Sequence, residues 1–172
     1  MDMKNWTIDE IKSFGFKGFF PIAELRKNLL SIPDERGVYL ILSSGKEFVF
    51  LNNGTGGYFK KKNPNVDLST LKNKWIENTV ILYIGQAGGI RNGKWSNSTL
   101  RMRLKKYFDF GIGKPVGHYG GRYIWQLEKS SELIVCWKEL PNKIADPSEI
   151  ESNLINSFKS KYKNRPFANL KE

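Results

Sequence analysis

A carboxylate set in the middle of an apolar helical stripe is the feature of this sequence that most demands a chemical explanation. Asp146-Pro147-Ser148-Glu149 combines an N-cap residue, a proline at the first helical position and a glutamate at N3. A helix therefore starts there, and its pattern runs to about Tyr162. Stepping about 100° per residue from Ile150 at zero places Leu154 at about 40°, Phe158 at about 80°, Tyr162 at about 120° and Ile155 at about 140°. Glu151 falls at about 100°, inside that stripe. An unpaired charge facing a core costs several kcal/mol. Glu151 must therefore pair with a cation, bind a metal or sit at the floor of a cleft. An ion pair with an arginine that holds the helix down meets the same constraint.

Other residues have the types to work with such a carboxylate. Asn97-Ser98 caps a helix running to about Phe108, whose buried stripe is Leu100, Leu104, Tyr107 and Phe108. Arg103 lies at the edge of that stripe, where it can hold a phosphate bidentately or cover apolar surface with its stem. Arg101 and Lys105 lie on the opposite flank. Tyr39 shares a strand face with Ile41, and Tyr83 shares one with Ile81. Each hydroxyl needs a partner, and each taken singly fits an ordinary core tyrosine. His118 is the only histidine. It sits in the glycine-rich run His118-Tyr119-Gly120-Gly121-Arg122, which reads as a surface loop, although a histidine there can assist proton transfer. Arg122 reads equally as a phosphate contact or a solvated loop charge.

These residues need a scaffold. Thr7-Ile8-Asp9-Glu10 is a capping box that opens a short helix, and Pro21 opens a second one over 22–30. Residues 37–42 are a β-rich run, and Ser43-Ser44-Gly45 turns it into 48–51, so the two read as a hairpin. The stretch 52–66, with Lys60-Lys61-Lys62, reads as an exposed basic loop. Trp75 ends a short helical segment. Further strands are expected over 79–84, 123–127 and 133–137. The mix is α+β, with a small and mainly antiparallel central sheet flanked by helices.

Bulk properties bound the function. The 172 residues suit one domain. Lys plus Arg number 28 against 17 Asp plus Glu, a formal charge of +11. Such an excess points to a polyanionic partner, nucleic acid first, or else to a lysine-rich compositional bias. The single cysteine, Cys136, excludes a disulfide framework and a cysteine-rich zinc site. No stretch approaches a membrane span, and the acidic, polar start is unlike a signal peptide, so a cytoplasmic protein is expected. Gly111-Ile112-Gly113-Lys114-Pro115 lacks the spacing and hydroxyl of a P-loop, and residues 54–57 do not form a dinucleotide fingerprint.

Taken together, the chemical residues form an order. Gly37-Val38-Tyr39 followed by Tyr83-Ile84-Gly85 resembles the two signature tripeptides of the GIY-YIG nuclease superfamily. The run from Leu100 to Phe108 resembles the helix that carries the family's arginine, with Arg103 as the match. Glu151-Ser152-Asn153-Leu154-Ile155 resembles the helix with its metal-binding glutamate. Arg165-Pro166-Phe167-Ala168-Asn169 resembles the closing segment with its asparagine. The resemblance spans residues 37–169, and five elements in order are far more specific than any one tripeptide.

The resemblance implies a GIY-YIG-like fold and an endonuclease hydrolysing phosphodiester bonds in DNA, with RNA not excluded. It implies one divalent cation, Mg²⁺ or Mn²⁺, with Glu151 as its sole protein ligand. Arg103 would hold the scissile phosphate, Tyr39 with Tyr83 would orient or deprotonate the attacking water, and Asn169 would orient the cleft. On this map 1–172 is one nuclease domain, 1–36 is a helical N-terminal extension packed on it, and 43–79 is an insertion between the signature strands. The insertion is either a DNA-contacting flap or a solvated loop. Gln86, Arg101, Lys105, His118 and Arg122 are candidate nucleic-acid contacts. Gln86 stands where several members carry a lysine and cannot supply its charge. It motivates the alternative of a non-catalytic nucleic-acid-binding module on the same fold.

Overall fold

A computed structural model describes residues 3–45 and 47–170. Helix α1 (Ile8–Ser13) starts where the capping box places it: the Thr7 hydroxyl accepts from Glu10 N–H. The Glu10 carboxylate reaches further back than a capping box requires, accepting from the N–H groups of Lys4, Asn5 and Trp6. Strand β1 (Lys17–Pro21) follows, then α2 (Ile22–Lys27) and a 3₁₀ turn, Leu29–Ser31. The N-terminal extension is thus not purely helical. Its strand completes one side of the sheet.

Strand β2 (Gly37–Leu42) is buried along its whole length. Helix α3 (Leu68–Lys74) ends at Trp75, and β3 (Ile81–Ala87) comes next. Strands β4 (Ile90–Arg91) and β5 (Lys94–Trp95) form a separate small hairpin. Helix α4 (Leu100–Gly111) is capped by Thr99 rather than Asn97-Ser98. Strand β6 (Ile134–Glu139) and helix α5 (Pro147–Tyr162) complete the chain. The main sheet has the order β1-β6-β2-β3 and every pairing is antiparallel. The architecture is therefore α+β, a small antiparallel sheet flanked by helices.

The sheet separates two apolar clusters. One joins Tyr39, Ile41 and Tyr83 to Leu100, Leu104 and Tyr107 of α4 and to Trp125. The other joins Val38, Leu40 and Leu42 to Ile11 and Phe16 and to Leu154 and Phe158 of α5. Period-two alternation carries β2 into both. In β3 the register slips between Ile41 and Leu42, opposite Tyr83 and Ile81. The extra residue, Leu82, is a bulge that sends Ile81 into the opposite cluster from Tyr83. The expected sharing of one face by Ile81 and Tyr83 is thereby corrected.

Two other local expectations fail for tertiary reasons. Residues 48–51 do not return along β2. Phe50 instead bridges Leu127, Leu51 N–H donates to the Gln126 carbonyl, and Glu128 N–H donates to the Val49 carbonyl. Residues Arg122–Gln126 are a 3₁₀ helix, not a strand. A short apolar run reads alike as a buried strand or a buried helical turn, and packing decides. The insertion is also more tightly held than an exposed loop. The buried Gln126 amide donates to the carbonyls of Leu51 (3.0 Å) and Val66 (2.9 Å) and accepts from Val66 N–H (2.8 Å). Lys60, Lys61 and Lys62 remain exposed at its surface.

Candidate active site

The pairing of β2 with the edge strand β3 brings the two tyrosines together. In the β2–β3 pairing Tyr39 lies opposite Gly85, and the Tyr39 and Tyr83 rings are 6.0 Å apart. Gly85 is a steric requirement. A Cβ there would fall 2.4 Å from Tyr39 Cζ and 2.5 Å from its hydroxyl. Tyr39 is 0% exposed, and its hydroxyl has no hydrogen-bond partner among the described residues. Tyr83 in turn packs 5.9 Å from the Tyr107 ring.

Two helices deliver the charged groups. On α4, Thr99 accepts from Met102 N–H and donates to Asp34 at 2.7 Å, which fixes the start of the helix. Arg103 follows one turn later, half-buried, with a buried Nε that has no partner. On α5, one Asp146 carboxylate oxygen accepts from Ser148 N–H (3.0 Å) and from Ile90 N–H (3.0 Å), so the helix start is locked to β4. Glu151 follows, half-buried, and forms no hydrogen bond or ion pair among the described residues. The arginine ion pair that sequence left open is therefore not made.

The electrostatics follow from burial. Loss of hydration pushes the Glu151 carboxyl up to about 7, against the pull of Arg103. Burial also raises Tyr39, with Arg103 opposing and Glu151 reinforcing. Tyr83 is raised further, by burial and by the neighbouring Tyr39. Arg103 loses hydration too, yet Tyr39, Tyr83 and Glu151 hold it in its charged form. Proximity to Arg103 alone thus does not make Tyr39 a phenolate. It keeps its proton and can donate a hydrogen bond.

Tyr83, Glu151 and Asn169 open into one cleft of about 400 Å³, with Gly120, Ser152, Asn156 and Arg165 also in its walls. Arg103 opens into a second hollow of about 190 Å³, with Gln86, Arg91, Ser96 and Ser148. Tyr39 is buried, beside Tyr83 and within electrostatic reach of Arg103 and Glu151. A larger cavity, about 830 Å³, lies elsewhere, between the N-terminal segment and the insertion. Its walls include Trp6, Phe48, Trp75 and Tyr162, and its acids, Glu47 and Glu77, are exposed. None of the five predicted site residues reaches it, so size does not identify the chemical centre here.

Asn169 acts through the backbone. Its amide donates to the Ile84 carbonyl (2.8 Å) and its oxygen accepts from Ile84 N–H (2.9 Å). Ala168 N–H donates to the Leu82 carbonyl. Strand β3 is at the sheet edge, so these groups would otherwise lack a partner strand. Asn169 holds the strand that carries Tyr83, which makes it a positioning residue.

The candidate nucleic-acid contacts divide. Gln86 accepts from Gly89 N–H (3.1 Å) and lines the Arg103 hollow. Arg101 donates to the Ile32 carbonyl (2.9 Å) and faces Asp34, tying α4 to the preceding segment. Lys105 is bound to Asp109 at 2.6 Å, as is Lys114 at 2.8 Å. Arg122 stacks on Tyr119, 4.0 Å from its ring centre. His118 is not a surface residue: it is 2% exposed and lies 4.4 Å from the Tyr107 ring. Burial, then the charges of Arg103 and Lys106, hold its pKa well below the usual value, so it is neutral. Stacking on Tyr107 buries it, and no local pattern announces such a contact. Sequence reading missed Arg165 in the Glu151 cleft and Ser148 in the Arg103 hollow. Ser148 stands three positions before Glu151, which is the spacing that shares a helix face.

Among the described residues no group of three or more His, Cys, Asp or Glu side chains is assembled, and no helix is long and apolar enough to cross a membrane. A divalent cation at this site would rest on Glu151, water and substrate oxygens. An unpaired, half-buried carboxylate at a cleft wall suits Mg²⁺, which keeps much of its hydration. No protein-family model matches the chain, and no curated protein or solved structure matches it.

Proposed function

We propose that this chain is a metal-dependent endonuclease acting on DNA through a GIY-YIG-like site. The observation that carries the reading is Glu151. Its half-buried carboxylate is left without a cation partner, while α4, β2 and β3 bring Arg103, Tyr39 and Tyr83 to within electrostatic reach of it. Carboxylates whose pKa is shifted by burial beside a charged group in a cleft cluster at functional sites.

In this reading Glu151 would hold the divalent ion. When bound, the ion supplies positive charge that stabilises the phosphate and the leaving oxygen. Arg103 donates to a non-bridging phosphate oxygen. Tyr83, protonated at neutral pH and open to the cleft beside Glu151, donates a hydrogen bond that orients the attacking water. Tyr39, buried beside it, supports its ring, and Asn169 keeps β3 in place. Water oxygen forms a bond to phosphorus, the bond from phosphorus to the leaving oxygen breaks, the attacking water gives a proton to solvent, and the leaving oxygen takes one from solvent to become a hydroxyl. The charge of +11 raises the local concentration of a polyanion but cleaves nothing.

The test is nicking of supercoiled plasmid with Mg²⁺ or Mn²⁺. Glu151→Ala removes nicking while circular dichroism shows a folded protein. Equal activity of variant and wild type overturns the reading. A second reading, a nucleic-acid-binding module without catalysis, is favoured by Gln86, whose side-chain oxygen accepts from Gly89 N–H and which brings no charge to the site. It predicts salt-sensitive DNA binding with no cleavage by the wild type.

A further inference from the structure

The β4–β5 hairpin stands beside the Arg103 hollow and has no part in the mechanism above. It pairs Ile90 with Trp95 and Arg91 with Lys94. Its turn is Asn92-Gly93, with φ of 49° and 73°, the left-handed pair that a tight two-residue hairpin requires. The base is held firmly. Ser96 N–H donates to the Gly89 carbonyl (3.0 Å), and Ile90 N–H donates to Asp146 at the start of α5 (3.0 Å). The Arg36 guanidinium donates to the carbonyls of Gly88 and Ser96, both at 3.1 Å, and lies 5.4 Å from the Trp95 ring.

The tip, by contrast, touches nothing that explains its composition. Arg91, Asn92, Gly93 and Lys94 are all exposed, and neither cation forms an ion pair among the described residues. Arg91 and Lys94 face each other directly across the ribbon. Like charges in that position destabilise a strand pair. A rigid projection that holds two cations side by side is complementary to an anion. Arg91 also lines the hollow that contains Arg103, so the two arginines address one space.

We propose that this hairpin enters the major groove of duplex DNA, with Arg91 and Lys94 on backbone phosphates at the groove walls, and so sets the duplex against Arg103. This rests on the nuclease reading and gives it a substrate class. From Gly89 to the turn at Asn92 the ribbon reaches about 10 Å, at about 3.3 Å per residue. The major groove of B-form DNA is about 12 Å wide and about 8.5 Å deep, and it admits a two-stranded ribbon. The major groove of A-form RNA is too narrow and deep for side-chain entry, so the hairpin discriminates against duplex RNA.

The experiment measures binding in a Glu151→Ala background, to prevent cleavage, over a series of KCl concentrations. The probes are a short duplex DNA, the duplex RNA of the same sequence and one DNA strand alone. Arg91→Ala with Lys94→Ala is compared with Lys72→Ala with Lys74→Ala, which removes the same charge from exposed positions on α3. The hairpin pair is expected to flatten the log–log salt dependence on duplex DNA by about 1.8, at about 0.9 for each phosphate left without its cation. The α3 pair leaves that slope unchanged, and the hairpin pair leaves RNA and single-strand binding unchanged. Equal flattening by both pairs, or none by the hairpin pair, overturns the hairpin's role while leaving the nuclease reading to the plasmid assay. A parent protein with no affinity for any of the three probes overturns both.

Discussion

At the residue scale the site is governed by incomplete compensation. Glu151 carries a raised pKa because burial outweighs the attraction of Arg103. Between the usual carboxyl value and about 7 the folded protein therefore binds more protons than the unfolded chain. The stability this contributes is full below the unfolded-state pKa and is lost as pH rises through about 7. Glu151→Gln is expected to raise stability by about 1–3 kcal/mol at pH 8, with little change at pH 4, discounting the shift for partial exposure. Urea unfolding at the two pH values measures it; equal effects would show that the carboxylate is not strained. His118 has the opposite sign. Its depressed pKa means that stability falls as pH drops below the unfolded-state value near 6.5. Both of its ring nitrogens are buried without partners. His118→Phe keeps the stack on Tyr107 and is expected to be neutral at pH 8 and stabilising at pH 5, read by thermal unfolding. The sequence marked Glu151 as anomalous because helical periodicity is local. It misplaced His118, because its burial depends on Tyr107, eleven positions away in the chain.

At the element scale, β3 is the part on which the site depends. It carries Tyr83 and Gly85, it is bulged at Leu82, and its outer edge is covered by the closing segment rather than by a strand. Asn169→Ala removes both side-chain bonds to Ile84. It is expected to cost about 1–3 kcal/mol, to accelerate exchange of the Ile84 amide, and to lower nicking mainly through kcat. Unchanged exchange at Ile84 would show that the side chain does not hold the strand. Two helix starts were readable from sequence because a cap is made within a few residues: Thr7 and Asp146 cap as expected, whereas α4 is capped by Thr99 and not by Asn97-Ser98. The hairpin expected for 37–51 was not realised, because Gln126 and its neighbours, distant in sequence, capture the second half. The bulge was equally invisible, since one inserted residue leaves composition and turn signals unchanged.

On the scale of the whole molecule, neither the extension nor the insertion is an appendage. Met3, Trp6, Ile11 and Phe16 belong to the same cluster as Leu154 and Phe158. Strand β1 covers β6. Removing residues 1–36 would expose that cluster and unpair β6, so the truncated chain is expected not to fold, as read by near-UV circular dichroism and sedimentation. A folded truncation would make the extension a separate unit. The insertion is likewise joined to the core, through Phe48, Phe50 and Trp75 packed near Phe167.

What the sequence by itself determined is the set of local facts: charge balance, helix caps, the α+β mixture, and a glutamate placed on the wrong face of its helix. These depend on neighbours within a turn or two, which a linear pattern records. Whether that glutamate meets a cation, that both tyrosines keep their protons, where His118 lies and how the β4–β5 hairpin stands were decided only by tertiary structure. Each depends on desolvation and on contacts between residues far apart in the chain, and burial is a property of the assembled fold.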